Sequence, residues 1–216
     1  MPDACVTPAG FLDAEGVWRQ AYGDLAWASG RAALFLDRDG VVVEEVDYLH
    51  RVEDLAVMPG AAELIAEANR RGIPVVVATN QAGIARGYFG WREFHEVQAE
   101  LNRRLERAGA RIDLTLACPH YPEHPDRKPC PGMFRKAGQT GAVDLRRSWA
   151  IGDKTSDLEA ARAAGLSGGI LVLTGHGLDH EAGARKMETA GFRVTIESSI
   201  TGAMWLLDEL AAGPRG

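Results

Sequence analysis

The sequence predicts an α/β domain built on a doubly wound, Rossmann-like parallel sheet with helices on both faces. Two observations carry that expectation. Short continuous apolar runs, Ala33–Leu36 and Ile73–Ala78 foremost, are apolar on every face, as strands covered from both sides must be. Segments with helical spacing separate these runs, the alternation that builds parallel sheets through crossover helices. A third observation says where chemistry should lie. The residues just after the runs are polar, and open parallel sheets bind ligands beyond the carboxyl ends of their strands.

Residues 1–30 carry apolar spots at Val17-Trp18 and Ala26-Trp27 without a sustained period. They read as an N-terminal arm or short hairpin packed on a domain spanning 31–216, with a partner contact as the other use. The first firm strand is 33–37, followed by a polar loop over 47–54. Pro59-Gly60 opens a helix over 61–70, whose Ala, Leu and Ile recur at helical spacing until Gly72 closes it. A second strand over 73–78 ends in Thr79-Asn80-Gln81, and a glycine-containing loop occupies 82–90. An amphipathic helix over 91–108 and a strand over 112–117 follow. The stretch 118–131 is irregular, with five prolines. Beyond it the pattern predicts helices at 132–140, 157–164, 181–190 and 199–211, and strands at 148–151, 169–173 and 193–196. Asp37, Thr79, Cys118 and Asp153 each follow a strand, so all four should meet at one edge.

Composition narrows the function. A chain of 216 residues with 46% apolar and 25% charged residues can bury a sizeable core as an ordinary soluble protein. Its formal charge of −6 opposes a binder that works by broad phosphate neutralisation, so nucleic acid is not an expected partner. Three cysteines form no disulfide framework, no apolar run nears the ~20 residues of a membrane helix, and 1–10 lacks the build of a signal peptide. A cytoplasmic protein without membrane contact, acting as a monomer or small homo-oligomer, is expected. No G-x-G-x-x-G follows the first strand and no G-x-x-x-x-G-K-[ST] occurs, which sets aside nicotinamide enzymes and P-loop NTPases.

Four groups carry chemistry: Asp37-x-Asp39, Thr79-Asn80, Arg127-Lys128, and Gly152-Asp153-Lys154 with Asp157. Residues two apart on an extended chain face the same way, so Asp37 and Asp39 share a pocket. Such close carboxylates repel unless a shared proton or a cation relieves them, and Mg²⁺ favours oxygen ligands. Each group also has a plain reading: a turn, a strand-end cap, a solvated lysine, a helix N-cap. Arg38, Arg86, Arg127, Lys128 and Lys154 nevertheless cluster beside the motifs, a focus of positive charge for an anionic substrate.

In type, order and position after strands, the four groups resemble the four motifs of the haloacid dehalogenase superfamily of phosphatases, over about Leu34 to Thr174. The resemblance implies Asp37 as the nucleophile of an aspartyl-phosphate and Asp39 as the acid that protonates the leaving oxygen and later activates water. It implies Mg²⁺ held by the Asp37 side chain, the Asp39 backbone carbonyl and Asp153. Thr79 and nearby N–H groups would bind phosphate oxygens, with Lys128 offsetting their charge. The partner is then a small anionic phosphorylated substrate. Gaps of 42 positions from Asp37 to Thr79 and 49 from Thr79 to Lys128 leave no room for a separate cap domain, so the site should be open.

Finer matches are Phe35-Leu36-Asp37-Arg38-Asp39-Gly40, the run Thr79 to Gly87, Arg127-Lys128-Pro129 with Pro131-Gly132-Met133, and Gly152-Asp153-Lys154. They resemble the D-glycero-D-manno-heptose 1,7-bisphosphate phosphatase group, with histidinol phosphatases the nearest alternative. That group implies substrate contacts at Asp47, Tyr48, Thr79, Asn80, Gln81, Ala82, Arg127, Lys128 and Lys154. Its members often hold structural zinc through Cys-x-His and a later Cys-x-Cys. Here Cys118-Pro119-His120 is present, but His124 and Asp126 replace the second pair. A Cys118/His120/His124/Asp126 set has acceptable zinc ligands, and a metal-free loop stiffened by prolines is the competing expectation. A non-catalytic scaffold on the same fold is the rival from another class, and it has no need of Asp37, Asp39 or Lys128.

Overall fold

Alternate residues of each central strand feed two separate cores, which is how one sheet comes to carry helices on both faces. The computed structural model describes residues 8–139 and 143–212. Its strands are β1 (Trp18–Ala21), β2 (Leu34–Leu36), β3 (Val75–Asn80), β4 (Leu114–Cys118), β5 (Trp149–Gly152), β6 (Gly168–Val172) and β7 (Arg193–Glu197). The α-helices are α1 (Ala61–Arg70), α2 (Ala82–Ala85), α3 (Trp91–Arg107), α4 (Gly132–Gln139), α5 (Thr155–Ala164), α6 (Gly177–Arg185) and α7 (Leu206–Ala211).

Leu34, Leu36, Val75, Val77 and Ile151 pack with Leu64 and Ile65 of α1, Leu101 and Leu105 of α3, and Leu207 of α7. The intervening Phe35, Val76, Ala78 and Ala150 pack against Met133 and Phe134 of α4, Leu158 of α5 and Ala184 of α6. The helices form where the sequence supplies a stripe and a cap. Ala61, Leu64, Ile65 and Ala68 are the buried residues of α1. The Gly90 N–H at the start of α3 donates to Glu93 at 2.9 Å. Gly165, at φ +85°, ends α5 in the left-handed region that glycine enters without strain.

The strand order is β1-β4-β3-β2-β5-β6-β7, parallel throughout except for the antiparallel edge strand β1 on β4. From β2 the chain winds outward through β3 and β4, then returns to the other side of β2 for β5, β6 and β7. The carboxyl end of β2 is therefore the topological switch point, where a crevice must open.

Several boundaries differ from the sequence expectation. A one-turn helix, α2, forms within the 82–90 stretch that reads as loop, because Gly83 lets the chain pack where a Cβ would strike Phe89 and Tyr48. The helix expected over 199–211 is a 3₁₀ segment, Ile200–Trp205, that passes into α7 only at Leu206. The helix expected at 181 begins at Gly177 and ends at Arg185. In the N-terminal stretch, residues 1–7 lie outside the described residues; Asp13–Val17 turns the chain and Trp18 onward joins the sheet. Among the described residues, no helix is long and apolar enough to cross a membrane.

Candidate active site

At the switch point the backbone of β2 carries its ladder one residue further, with the Asp37 N–H donating to Ile151 O at 2.9 Å. The chain then coils tightly: the Arg38 carbonyl accepts from the N–H groups of Val42 and Val43, each at 2.9 Å. Gly40, at φ +83°, allows the turn, and its carbonyl accepts from Thr174 Oγ1 at 2.6 Å. Around this end lies a cavity lined by Asp37, Asp39, Asp47, Tyr48, Thr79, Asn80, Gln81, Ala82, Lys128 and Lys154, together with Glu45 and Asp157. Residues scattered over more than a hundred positions thus meet because three strands end at one edge.

Lys128 is the electrostatic hinge of the site. Its buried Nζ donates to Asp37 Oδ1 at 2.7 Å and Ala78 O at 2.8 Å, and sits 2.6 Å from Asp157 Oδ1. Asn80 sets its backbone: Nδ2 donates to Lys128 O at 2.9 Å and Oδ1 accepts from Lys128 N at 3.1 Å. Asp157 also caps α5, its Oδ2 accepting from the Lys154 N–H at 3.0 Å. Burial pushes the Asp37 carboxyl up to about 7, and the Lys128 ammonium opposes it while Asp157, Asp153 and Asp39 add to it. Burial acts to lower the Lys128 ammonium, but the carboxylates of Asp157 and Asp37 outweigh it and the net direction is upward. The lysine therefore stays charged and holds the two carboxylates at one place.

Asp39 is gripped differently. Arg38 Nη2 and Nε donate to its carboxylate at 3.0 and 3.2 Å, Gln81 Nε2 donates at 3.0 Å and Thr79 Oγ1 at 3.3 Å. Asp153 is fully buried behind the cavity, where Oδ2 accepts from the His176 N–H at 2.9 Å and Oδ1 has no hydrogen-bond partner. An orphaned buried carboxylate oxygen is costly unless something positive meets it. Ligand-type oxygens of Asp37, Asp153 and Asp157 lie within 4.8 Å of one another. A Cβ on Gly40 or Gly175 would stand 2.6 or 2.4 Å from Asp153 Oδ2, so both glycines keep that carboxylate's surroundings clear. Hard, close-set oxygen donors with an unsatisfied member fit a divalent cation such as Mg²⁺.

One expected substrate contact and the expected zinc set fall elsewhere. Arg127 does not line the cavity; its Nη1 donates to His120 O at 3.2 Å and its guanidinium lies 5.3 Å from the Tyr121 ring, which Arg86 also faces at 4.1 Å. Cys118, His120, His124 and Asp126 do not gather as a zinc set. Among the described residues, the groups of three or more metal-type side chains within mutual reach are Glu45/Asp153/His176 and Asp37/Asp153/Asp157, and neither includes any of the four. The reasons are local. Cys118 ends β4 inside the core, where burial pushes its thiol up to about 11. His120 and His124 stack on each other at 3.8 Å, and Nε2 of His120 meets Glu15 O at 2.7 Å. Asp126 is paired with the Lys136 ammonium at 3.0 Å, a cation that also binds Asp13 and Glu15.

The sequence reading missed two partners. Glu45 Oε2 stands 3.4 Å from Lys154 Nζ and 3.7 Å from His176 Nε2, and burial raises its carboxyl above the usual range. Arg38 reads only as a positive neighbour of the motif, whereas its fork on Asp39 depends on side-chain directions that spacing does not encode.

Comparison with known proteins agrees with this geometry. Residues 126–194 match the family model described as HAD-hyrolase-like, a haloacid dehalogenase family. The D-glycero-beta-D-manno-heptose-1,7-bisphosphate 7-phosphatase of Mesorhizobium japonicum is 43% identical over 181 residues, covering 80% of this chain and 83% of that protein. A solved HAD-like phosphatase from Mesorhizobium loti superposes with a TM-score of 0.80 at 37% identity, over 95% of this chain and 99% of that one. The D,D-heptose 1,7-bisphosphate phosphatase of B. bronchiseptica, solved with magnesium and phosphate, gives 0.74 at 33% identity over 82% and 98%. A relative this similar over four fifths of both chains leaves one conclusion: the chain belongs to the haloacid dehalogenase-like phosphatases, hydrolases of phosphomonoesters.

Proposed function

We propose that this chain is a Mg²⁺-dependent phosphatase that removes one phosphate from D-glycero-D-manno-heptose 1,7-bisphosphate through an aspartyl-phosphate. The observation that carries the reading is the buried Lys128 ammonium clamped between Asp37 and Asp157, beside Asp39, at the sheet's switch point. A nucleophile, a neutralising cation and a second carboxyl group in one pocket are what phosphoryl transfer requires. The relatives' names supply the sugar.

Asp37 attacks phosphorus with a carboxylate oxygen while the bond from phosphorus to the sugar oxygen breaks. The carboxyl group of Asp39 gives its proton to that leaving oxygen, and the sugar departs as an alcohol. Asp39, now a carboxylate, takes a proton from water; the resulting oxygen attacks phosphorus, the bond to Asp37 breaks, and inorganic phosphate leaves. The Thr79 hydroxyl and the N–H groups at the start of α2 face the transferring oxygens, and Lys128 offsets their charge throughout. Asp37, Asp153 and the Asp39 carbonyl would hold Mg²⁺, which supplies charge neutralisation on the phosphate oxygens. No inserted domain lies between β2 and β3 or between β3 and β4 among the described residues, which suits a substrate whose bulk stays outside the pocket.

Phosphate release from both heptose bisphosphate anomers, histidinol phosphate and common sugar phosphates, with Mg²⁺ or chelator, tests the reading. Turnover of a heptose bisphosphate, lost in chelator and in Asp37→Asn, is the expected result. Preference for histidinol phosphate would overturn the substrate, and silence across the panel would overturn the reading.

A further inference from the structure

The most tightly enclosed charge at the site that the reaction leaves without a part is Arg38. Its side chain is 1% exposed, and its guanidinium lies 5.2 Å from the ring of Phe94 in α3. Nε and Nη2 grip the Asp39 carboxylate, and Nη1 has no hydrogen-bond partner among the described residues. As a contribution to stability this is a poor arrangement. A buried guanidinium with one carboxylate and an orphaned N–H costs more than an apolar side chain packed on Phe94 would.

We propose that Arg38 is a positioning residue: it fixes the Asp39 carboxyl group where the proton must be delivered to the leaving oxygen. The inference rests on the phosphatase reading. Four donors meet Asp39, from Arg38, Thr79 and Gln81, and all three residues border the cavity. Thr79 and Gln81 are the two that the phosphatase reading also gives to the incoming phosphate, so the Arg38 guanidinium, packed on Phe94, is the grip with no second task. Its planar fork sets the orientation of a carboxylate as well as its place, which a point charge does not. The backbone helps, since the Arg38 carbonyl anchors the turn that follows Asp39.

Leaving groups separate positioning from general damage. A sugar alkoxide needs the proton of Asp39 as its bond to phosphorus breaks, whereas p-nitrophenolate leaves without one. Arg38→Met and Arg38→Lys should be compared with wild type in single turnovers, enzyme in excess, on D-glycero-β-D-manno-heptose 1,7-bisphosphate and on p-nitrophenyl phosphate. The expected result is sugar release slowed about 100-fold in Arg38→Met, with nitrophenolate release within about threefold of wild type and an unchanged half-saturating concentration. Arg38→Lys should recover less than about tenfold of the loss, because it lacks the fork. If Arg38→Met does not fold, the same contrast between leaving groups is read on Arg38→Lys. Equal slowing of both substrates, or slowing of neither, would overturn the inference. Wild-type enzyme inert on both esters would overturn the phosphatase reading instead, and is told apart because no variant enters that comparison.

Discussion

Asp37 is asked to be both buried and ionised, and the two demands oppose each other. Burial raises its carboxyl to about 7 from 3.8, so between those values the folded chain holds a proton that the unfolded chain releases. The stability this group contributes is therefore present in full below about pH 4 and lost as pH rises through 7. In chelator, wild type should melt progressively lower than Asp37→Asn as pH rises from 4 to 8, the gap widening by about 5 °C or more. Asp153 and Glu45 are raised as well and both proteins keep them, so the difference reports Asp37 together with its interactions with Lys128 and Asp153. Parallel melting curves would remove the basis for this argument. Lys128 is what draws Asp37 back toward ionisation. Lys128→Met should cut turnover by about 10³-fold and move the acidic limb of the rate profile to higher pH, which a pH–kcat series with Mg²⁺ would read.

Between the strands, the connection from β4 to α4 shows how one ammonium ties distant elements together. Lys136 of α4 reaches Asp126 in that connection and Asp13 and Glu15 in the N-terminal turn, joining three segments through one ammonium. Its removal takes the lysine partner from the buried Asp126 carboxylate. Lys136→Met should lower the melting temperature by about 3–8 °C in low salt, and by less in 1 M NaCl, as calorimetry would show. This staple was not legible in the sequence, because Lys136 and Asp13 are 123 positions apart and nothing local marks the pair. Strands β2 to β6 were legible for a physical reason: strands buried on both faces need largely apolar runs, which stand out, whereas β7 is an only half-buried edge strand. The edge strand β1 was not legible, since its four residues, Trp-Arg-Gln-Ala, alternate too briefly to show a period. Asp37, Thr79 and Asp153 were legible because each sits at a strand end in chain order, while Lys128 lies within the connection from β4 to α4. What Asn80 does for the Lys128 backbone, and Arg38 for Asp39, required the folded crevice to be seen.

On the scale of the molecule, charge is concentrated at one pole of the sheet. A chain of formal charge −6 places Asp37, Asp39, Glu45, Asp153 and Asp157 around one crevice against Lys128, Lys154 and Arg38. Carboxylates outnumber cations there, and the buried Asp153 Oδ1 is met by none of them. A divalent ion that enters the folded crevice but finds no such site in the unfolded chain must stabilise the fold, by about 2.7 kcal/mol at a hundredfold excess over its Kd. For a chain of this length that is a rise of roughly 5–10 °C in melting temperature. Titrating MgCl₂ against NaCl of equal ionic strength should show that rise with Mg²⁺ alone. Asp153→Asn should abolish it. His176→Ala should keep it, because His176 belongs to the group with Glu45 and not to the one with Asp37 and Asp157. If His176→Ala instead removed the rise, the ion would sit on the Glu45 side, away from Asp37, and the neutralisation proposed for it at phosphate would lose its support.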